Sequence, residues 1–392
     1  MRQLSRIPIY HYLFLTLIYL LVSAFSYAKY GVALSDDSYK YLTYADSLKD
    51  GFHIQQHYIL YIGYVLFIFF IRLLTFSTAH ATIIIAQYLL SWGSLMLLYR
   101  AIARWTGSLM TGLLVALLCL GYVDLNGWNS HLLCESFYTS MVILSLCVLS
   151  GYLTKGKRPL AYGLLTACVV LLTMFTKPTG IALFGGLVVV LLGRVWQKTG
   201  TPVRIGLLAG GAAGLVFVAN KMLSTFILVE QYQQGEIVYL AHLMGYNADN
   251  SLLYVKVPDD LVIPPEEYEP LTRVLLFIYH NFTFWFTLFI RKLYFFLSHT
   301  RPYYSTFHNL FALAYLVPSY GLAIGALTNS RLGISVRLFG VAYLLIHTLS
   351  VTLTSVDWGG RFLIPVLPVV FILAGWQLMF LYNKYRGGHS FA

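Results

Sequence analysis

The class of fold is decided by residues 9–28, which read IYHYLFLTLIYLLVSAFSYA and contain no Asp, Glu, Lys or Arg. An α-helix rises about 1.5 Å per residue, so about 20 such residues match the roughly 30 Å hydrocarbon core of a bilayer. Arg2 and Arg6 precede the run, and no convincing small-residue cleavage site follows it. We therefore expect a first membrane helix that is retained, rather than a signal peptide that is removed.

Apolar runs of similar length recur along the chain, which has 392 residues and a mean hydropathy of +0.71. Charged residues make up only 10% of the sequence, against about 25% in soluble proteins. This composition excludes a cytosolic globular enzyme, a disordered chain and a nucleic-acid binder. It predicts an all-α polytopic transmembrane helix bundle of about 10–12 helices. The candidate membrane helices cover about 9–34, 58–76, 80–99, 108–123, 136–153, 160–176, 179–195, 203–229, 307–327, 333–354 and 361–382.

The basic residues indicate the orientation of these helices, because cytoplasmic loops of membrane proteins carry an excess of Lys and Arg. The net charge is +11, and the basic residues are scattered rather than gathered in one stripe. With basic loops inside, segment 35–57, the region around Glu135, loop 230–272 and turn 357–361 lie on the opposite, outer side. The basic groups assigned to the cytoplasm are Arg2 and Arg6, Arg100 and Arg104, residues 155–158, Arg194 with Lys198 and Arg204, Arg331 with Arg337, and Lys384 with Arg386.

One part of this topology has an inconsistent number of membrane crossings. The runs 58–76 and 80–99 both lie between the outer Asp36 and the inner Arg100, where an odd number of crossings is required. Either one of the two runs is re-entrant or interfacial, or the orientation is wrong locally. The stretch 273–304 is rich in aromatic and basic residues, and we interpret it as an interfacial helix on the outer surface.

Three segments follow from this topology. Residues 1–229 form an N-terminal transmembrane catalytic module, residues 230–306 an outer loop with the interfacial helix, and residues 307–392 the C-terminal transmembrane helices. All 15 acidic residues fall on the outer side, and eight of them lie within 230–269. Acids have little influence on topology, so their distribution favours carboxylate chemistry at the outer face.

The motif Ser35-Asp36-Asp37-Ser38-Tyr39-Lys40-Tyr41 directly follows the first helix. A serine or an aspartate can cap a helix, and acids are favourable in the first turn. Apolar residues at helical spacing then predict a short amphipathic surface helix that ends at Asp50-Gly51. Asp36 and Asp37 are candidate catalytic groups, with solvated helix caps as the alternative. The apolar stripe consists of Tyr41, Tyr44, Ala45 and Leu48.

Further candidates stand at the ends of apolar runs. Glu135 precedes the run 136–153, where a carboxylate either complements the helix dipole or serves a function. His131 is a candidate proton carrier or a hydrogen-bonded loop residue. Lys177 and Arg361 either snorkel to the membrane surface or bind a lipid phosphate, and Lys292 extends this basic rim.

In their order along the chain, these features resemble the GT-C superfamily of membrane glycosyltransferases, which use polyprenyl-phosphate-linked sugars. Within it, they are most similar to the protein O-mannosyltransferase and lipid A aminoarabinose transferase branch. The resemblance rests on four short motifs, and the proline-rich stretch that the family carries before its second helix has no counterpart in residues 52–58. The motifs are Asp36-Asp37-Ser-Tyr39, His131-Leu-Leu-Cys-Glu135, Thr176-Lys-Pro-Thr-Gly180 and Arg361-Phe-Leu-Ile-Pro-Val-Leu-Pro368.

The resemblance implies a GT-C fold and the inverting transfer of a sugar from a polyprenyl phosphate to an acceptor hydroxyl. Asp36 or Asp37 would act as the general base, with Asp36 favoured, and Glu135 would assist it or position the acceptor. Some family members need a divalent cation such as Mg²⁺ or Mn²⁺, for which the same three carboxylates are the candidate ligands. The substrate-binding candidates are Tyr39, His131, Lys177, Lys292 and Arg361, the last three of them for the phosphate.

The predicted partners are a polyprenyl-phosphate-linked sugar donor, a glycan, lipid or protein acceptor, and membrane lipids, with no nucleic acid. Short loops favour a bacterial inner membrane, with the active site facing the periplasm; the alternative is an endoplasmic-reticulum membrane, with the site facing the lumen. Three other classes are built of many helices: a transporter or flippase, a non-catalytic scaffold of envelope polysaccharide assembly, and a polysaccharide polymerase or ligase. A transporter is expected to carry intramembrane charges, whereas the ionisable residues of this sequence cluster near the ends of apolar runs.

Overall fold

The computed structural model describes residues 7–155, 159–224, 228–239, 252–354, 356 and 359–386. In this part of the chain all regular secondary structure is helical, and extended segments meet only in isolated β-bridges. The α-helices are α1 (Ile9–Tyr30), α2 (Asp36–Ser47), α3 (Ile62–Thr75), α4 (His80–Thr106), α5 (Leu109–Gly121), α6 (Val123–Gly127), α7 (Cys134–Lys155), α8 (Leu160–Met174), α9 (Ile181–Lys198), α10 (Thr201–Leu223), α11 (Leu228–Gln233), α12 (Pro270–His280), α13 (Phe282–Ser298), α14 (Thr306–Thr328), α15 (Ile334–Thr352) and α16 (Leu367–Tyr385).

A helix lies at every predicted apolar run, so the all-α prediction is confirmed. By length and composition, nine helices of the described residues are able to cross a membrane, and eleven if two sharply bent pairs each count as one span. The chain is therefore a multi-pass membrane protein by its helices. Several bounds differ from the predicted ones, because hydropathy marks the apolar part of a helix and not its ends. The clearest case is α4, which continues past the apolar run to Thr106.

The residues form two compact units by their internal contacts. Unit 1 comprises Met1–Gly186, Val317–Leu344 and Ile364–Ala392, and unit 2 comprises Leu187–Leu316 and Leu345–Leu363. Each unit combines stretches that are distant in sequence. The three consecutive segments predicted from the sequence are divided at its polar loops instead, and that division stays a prediction.

In unit 1, α4 runs antiparallel to α1. At the middle of α1, the Tyr19 hydroxyl donates a hydrogen bond to the Tyr88 carbonyl oxygen over 2.7 Å. Near its N-terminal end, His11 Nδ1 lies 2.5 Å from the Tyr99 hydroxyl. Later residues of α4 thus pair with earlier residues of α1, which places the start of α4 beside the C-terminal end of α1.

In unit 2, the predicted interfacial helix 273–304 is two helices rather than one. α12 and α13 meet at Asn281 with a bend of 104°. The Asn281 side chain accepts a hydrogen bond from the Val262 amide and donates one to the Val262 carbonyl, over 2.9 and 2.7 Å. An asparagine that satisfies loop backbone in this way competes with helical hydrogen bonding, and the helix breaks there.

Candidate active site

The predicted helix after Ser35 is confirmed as α2. Ser35 is its N-cap, in a capping box with Ser38, and the Ser35 amide donates to Ser38 Oγ over 2.9 Å. The predicted apolar stripe is buried, with Tyr44 and Ala45 at most 2% exposed. Local sequence rules therefore fix both the start of α2 and the face that packs on the protein.

The two acids of the motif differ in their surroundings. Asp37 accepts a hydrogen bond from Lys40 Nζ at 3.2 Å on the surface of α2. Asp36 is exposed and enters no ion pair among the described residues. Tyr39 is 56% exposed beside them. Asp36 is therefore the acid of the pair that a substrate can reach without breaking an ion pair.

The segment before α2 is hydrogen-bonded to the loop that precedes α7. The Ala33 amide donates to the Ser130 carbonyl, and the Leu132 amide donates to the Ala33 carbonyl, both over 2.9 Å. Fully buried Gln87 of α4 holds the same loop, because its Nε2 donates to the carbonyl of His131 over 2.9 Å. The start of α2 and the loop before Glu135 are thereby fixed side by side.

Glu135 and Lys177 form a buried ion pair. Lys177 Nζ donates to Glu135 Oε1 over 2.8 Å, and each side chain is only 2% exposed. Glu135 lies in the first turn of α7, and Lys177 lies in the break between α8 and α9. Snorkelling of Lys177 is therefore wrong, because its ammonium group turns inward to a carboxylate instead of outward to the membrane surface.

Tyr41 connects α2 with this ion pair. Its hydroxyl lies 4.0 Å from Cys134 Sγ, and Cys134 Sγ lies 3.7 Å from Glu135 Oε2. Burial raises the pKa of Tyr41 well above its usual range, and nearby acidic groups, among them Glu135 and Asp37, raise it further. The structure thus connects α2 to Glu135 through Tyr41 and Cys134, while the roles of Asp36, Asp37 and Glu135 stay predictions.

His131 is held in one tautomer at the rim of this cluster. Its Nδ1 lies 3.3 Å from the Gly127 carbonyl oxygen, which only accepts, so Nδ1 carries the proton. The ring packs between Tyr30 and Trp128, with centroid distances of 5.1 and 4.7 Å. Burial lowers the pKa of His131, and Glu135 partly opposes this. The neutral imidazole therefore presents Nε2 as a hydrogen-bond acceptor.

The other two predicted cations belong to unit 2. Lys292 is 1% exposed, lies 5.2 Å from the centre of the Tyr232 ring, and donates a hydrogen bond to the Thr354 carbonyl. Arg361 is half-buried over the ring of Phe362. The predicted exposed rim is therefore wrong for Lys292, which is enclosed by its own unit. Asp357 lies outside the described residues.

The three carboxylates do not fit a divalent-cation site. Asp36, Asp37 and Glu135 do not occur as a group with converging oxygens in the part of the chain that the structure describes. Glu135 instead contacts Lys177, and Asp37 contacts Lys40. A cation bound by all three would have to replace both ion pairs.

Comparisons with protein-family models, with curated proteins and with solved structures find no match to this chain. The site is therefore described by its own chemistry. It consists of Asp36 and Asp37 on α2, the imidazole of His131 and the buried Glu135–Lys177 ion pair, all within unit 1.

Because Gly63 has no side chain, the start of α3 can pack closely against Leu172 and Thr176. A Cβ atom at Gly63 would lie 2.5 Å from Thr176 Oγ1 and 3.0 Å from the Leu172 carbonyl oxygen. We expect Gly63→Ala to lower the free energy of unfolding by about 1–3 kcal/mol through overpacking. Gly93→Ala on α4 is the matched control, since no atom lies within 4 Å of its Cβ position. Thermal unfolding in detergent measures both, and equal stability of the two variants would contradict this packing.

The burial of Lys292 predicts that the stability of the protein depends on pH. Burial lowers its pKa from 10.5 to about 8, with Glu236 opposing. Between these values the unfolded chain binds more protons than the folded one, so stability rises with pH. We expect the melting temperature to rise between pH 8 and 10 more steeply in the wild type than in Lys292→Met. Parallel curves for the two proteins would mean that Lys292 titrates normally.

Proposed function

We propose that this protein is an integral membrane glycosyltransferase of the GT-C type. It would transfer a sugar from a polyprenyl-phosphate donor to an acceptor hydroxyl at the outer face, which is the periplasmic face if the membrane is a bacterial inner membrane. The acceptor would be a glycan, a lipid or a protein. The observation that carries the proposal is the connection of α2, on which Asp36 is exposed, to the buried Glu135–Lys177 pair through Tyr41 and Cys134.

The chemistry of the site suits a single displacement. The acceptor oxygen attacks the anomeric carbon, the bond from that carbon to the phosphate oxygen breaks, and its electron pair leaves with the phosphate. Asp36 takes the proton of the acceptor hydroxyl. The neutral Nε2 of His131 accepts a hydrogen bond from a hydroxyl group of the substrate. The exposed ring of Tyr39 contacts the substrate as it approaches Asp36.

The Glu135–Lys177 pair holds together the elements that surround the site. A buried ion pair fixes the elements that carry its two members, since separating the charges is costly in a low-dielectric interior. Here it joins the start of α7 to the break between α8 and α9. The leaving phosphate needs a cationic group. Because Lys177 is paired with Glu135, it serves the phosphate only if that pair opens, and the phosphate roles of Lys292 and Arg361 stay predictions.

The direct test is transfer in proteoliposomes that contain the purified protein and a polyprenyl-phosphate sugar. We expect product with the inverted anomeric configuration, and none from a sugar nucleotide without the lipid. The configuration is determined by NMR. A protein that is folded and monodisperse but inactive across a panel of polyprenyl-phosphate sugars and hydroxyl acceptors would overturn the proposal.

One observation favours a second function, that of a transporter. An ion pair enclosed among membrane helices is typical of an ion or substrate pathway, and Glu135 with Lys177 is such a pair. A transporter would move a labelled solute or lipid across proteoliposomes without forming a glycosidic bond. Flux of such a solute through the wild-type protein, with no sugar transfer, would favour this alternative.

A further inference from the structure

Four helices of unit 1 enclose an apolar groove. The groove has about 530 Å³ of empty space, part of it open to the surroundings, and ligand pockets commonly measure about 300–1,000 Å³. It is lined by three or four residues from each of α4, α7, α15 and α16, all of them within unit 1. On each helix these residues recur at a spacing of three or four, so one face of each helix forms the wall.

The floor and the mouth of the groove lie at different depths. The floor includes Ile102, Phe339 and Leu373, which are at most 3% exposed. The mouth includes Trp105 and Val336, which are half-buried. Trp105 is the next-to-last residue of α4, and Val336 is the third residue of α15. The groove therefore opens near these helix ends and leads inward between the helices.

Positive charge lies at the mouth of the groove. Arg104 directly precedes Trp105, and Arg337 directly follows Val336. Neighbouring residues of a helix differ by only about 1.5 Å along its axis, so both arginines lie at the depth of the mouth. α4, α15 and α16 contain no acidic residue, and the acid of α7, Glu135, lies at the opposite end of that helix. The helices of the groove thus provide no carboxylate at its mouth.

Arg337 has an unsatisfied donor. Its side chain is half-buried, and its buried Nε has no hydrogen-bond partner among the residues that the structure describes. A buried donor that lacks an acceptor costs free energy. A phosphate oxygen would supply the acceptor, and the planar guanidinium group matches phosphate in geometry and charge.

The groove and its mouth fit the two parts of a lipid with an anionic headgroup. A hydrocarbon chain regains the dispersion contacts that an empty apolar space lacks. Basic pockets between membrane helices bind anionic headgroups on the cytoplasmic side, and the basic loops assign this end of unit 1 to the cytoplasm. We propose that an anionic phospholipid of the cytoplasmic leaflet binds here, with an acyl chain in the groove and its phosphate at Arg104 and Arg337.

This site is separate from the candidate active site. It lies toward the C-terminal end of α7, whereas Glu135 lies in the first turn of that helix. Binding of the lipid does not depend on any sugar transfer, so the following experiments and the transfer assay fail independently.

Quenching of tryptophan fluorescence by brominated acyl chains tests the proposal, because Trp105 lines the groove. The full-length protein is reconstituted in phosphatidylcholine vesicles that contain the same small mole fraction of either brominated phosphatidylglycerol or brominated phosphatidylcholine. We expect brominated phosphatidylglycerol to quench the wild type more strongly, and this excess to disappear in Trp105→Phe. Equal quenching of the wild type by the two lipids, or an excess that survives in Trp105→Phe, would overturn the proposal.

Trp196→Phe is the matched control for Trp105→Phe. The Trp196 ring also has an arginine nearby, with the Arg204 guanidinium carbon 5.3 Å from its centre, but Trp196 does not line the groove. We expect the excess quenching to remain in Trp196→Phe. Its loss there would place the preferred lipid at α9 instead of in the groove and would contradict the proposal.

Arg337→Gln tests the headgroup contact while Trp105 stays in place to report it. We expect the ratio of the association constants for phosphatidylglycerol and phosphatidylcholine to fall about fivefold, which corresponds to about 1 kcal/mol for one basic residue near an anionic lipid. Arg204→Gln in unit 2 should leave the ratio unchanged. An unchanged ratio in Arg337→Gln would show that the phosphate does not bind at the mouth.

Filling the groove tests the position of the acyl chain. Ala101 lines the groove, whereas Leu97 on the same helix is 46% exposed and does not line it. A ligand stabilises only a protein that binds it. Phosphatidylglycerol in mixed micelles should therefore raise the melting temperature of the wild type and of Leu97→Phe more than that of Ala101→Phe. An equal rise in all three proteins would mean that the chain binds elsewhere, and the proposal would fall.

Discussion

Replacing Glu135 with glutamine is expected to lower the free energy of unfolding by about 3–5 kcal/mol. The reason is that the Lys177 ammonium group, on a side chain that is 2% exposed and 2.8 Å from Glu135 Oε1, would lose the carboxylate that compensates its burial. Lys177→Met should have a comparable effect through the unpaired carboxylate. Both values are obtained from denaturant or thermal unfolding in detergent micelles.

The double variant separates this mechanism from simple loss of packing. Glu135→Leu combined with Lys177→Met removes both charges and fills the space with apolar groups, which in other proteins is often neutral or stabilising. We expect the double variant to be more stable than either single one. If the two single effects simply add, the ion pair does not hold the site together and the account of its geometry is wrong.

Replacing Asp36 with asparagine is expected to lower the rate of sugar transfer by about 10²–10⁴-fold, the range for loss of a general base. Asparagine keeps the size of the side chain, and Ser35 remains the N-cap of α2, so expression and stability should be unchanged. Transfer from a polyprenyl-phosphate sugar is measured in membranes that contain equal amounts of each protein.

The neighbouring acids supply the controls for Asp36. Asp37→Asn breaks a surface ion pair with Lys40, and such a pair is worth little, so we expect a much smaller loss of transfer. Asp50→Asn, at the far end of the same loop, should leave transfer unchanged. Equal losses in Asp36→Asn and Asp37→Asn would contradict the assignment of the base to Asp36.

Local patterns in the sequence predict α2 almost completely. A serine cap, acids in the first turn and an apolar stripe of helical period act within a few residues of one another. They specify the helix without reference to the rest of the chain. The apolar runs likewise predict the helices, because the bilayer selects for length and composition.

The contacts of the site could not be predicted in the same way. Glu135 and Lys177 are 42 residues apart, and each had a sufficient local explanation, as a dipole complement and as a snorkelling lysine. Their pairing depends on how α7 packs against the break between α8 and α9. One signal was present, since Gln87 stands inside an apolar run where an amide needs partners. It bonds to the loop before Glu135 and to the Tyr64 hydroxyl.

The burial of Lys292 could not be predicted from the sequence for a related reason. Its aromatic neighbours along the chain suggested a membrane interface. No local pattern indicated that its ammonium group donates a hydrogen bond to the Thr354 carbonyl. Long-range packing decided its position. Sequence patterns identify chemically capable residues, and tertiary contacts decide which of them face the substrate.

The most direct measurement of the central claim is chemical rescue of Asp36→Ala by formate, with Asp37→Ala treated alike. Small carboxylates diffuse into the space that the missing side chain leaves and accept the proton in its place. The account predicts that millimolar formate restores a measurable part of sugar transfer to Asp36→Ala and leaves Asp37→Ala unaffected. Wild-type rates for Asp36→Ala without formate would show that this carboxylate takes no part in the reaction.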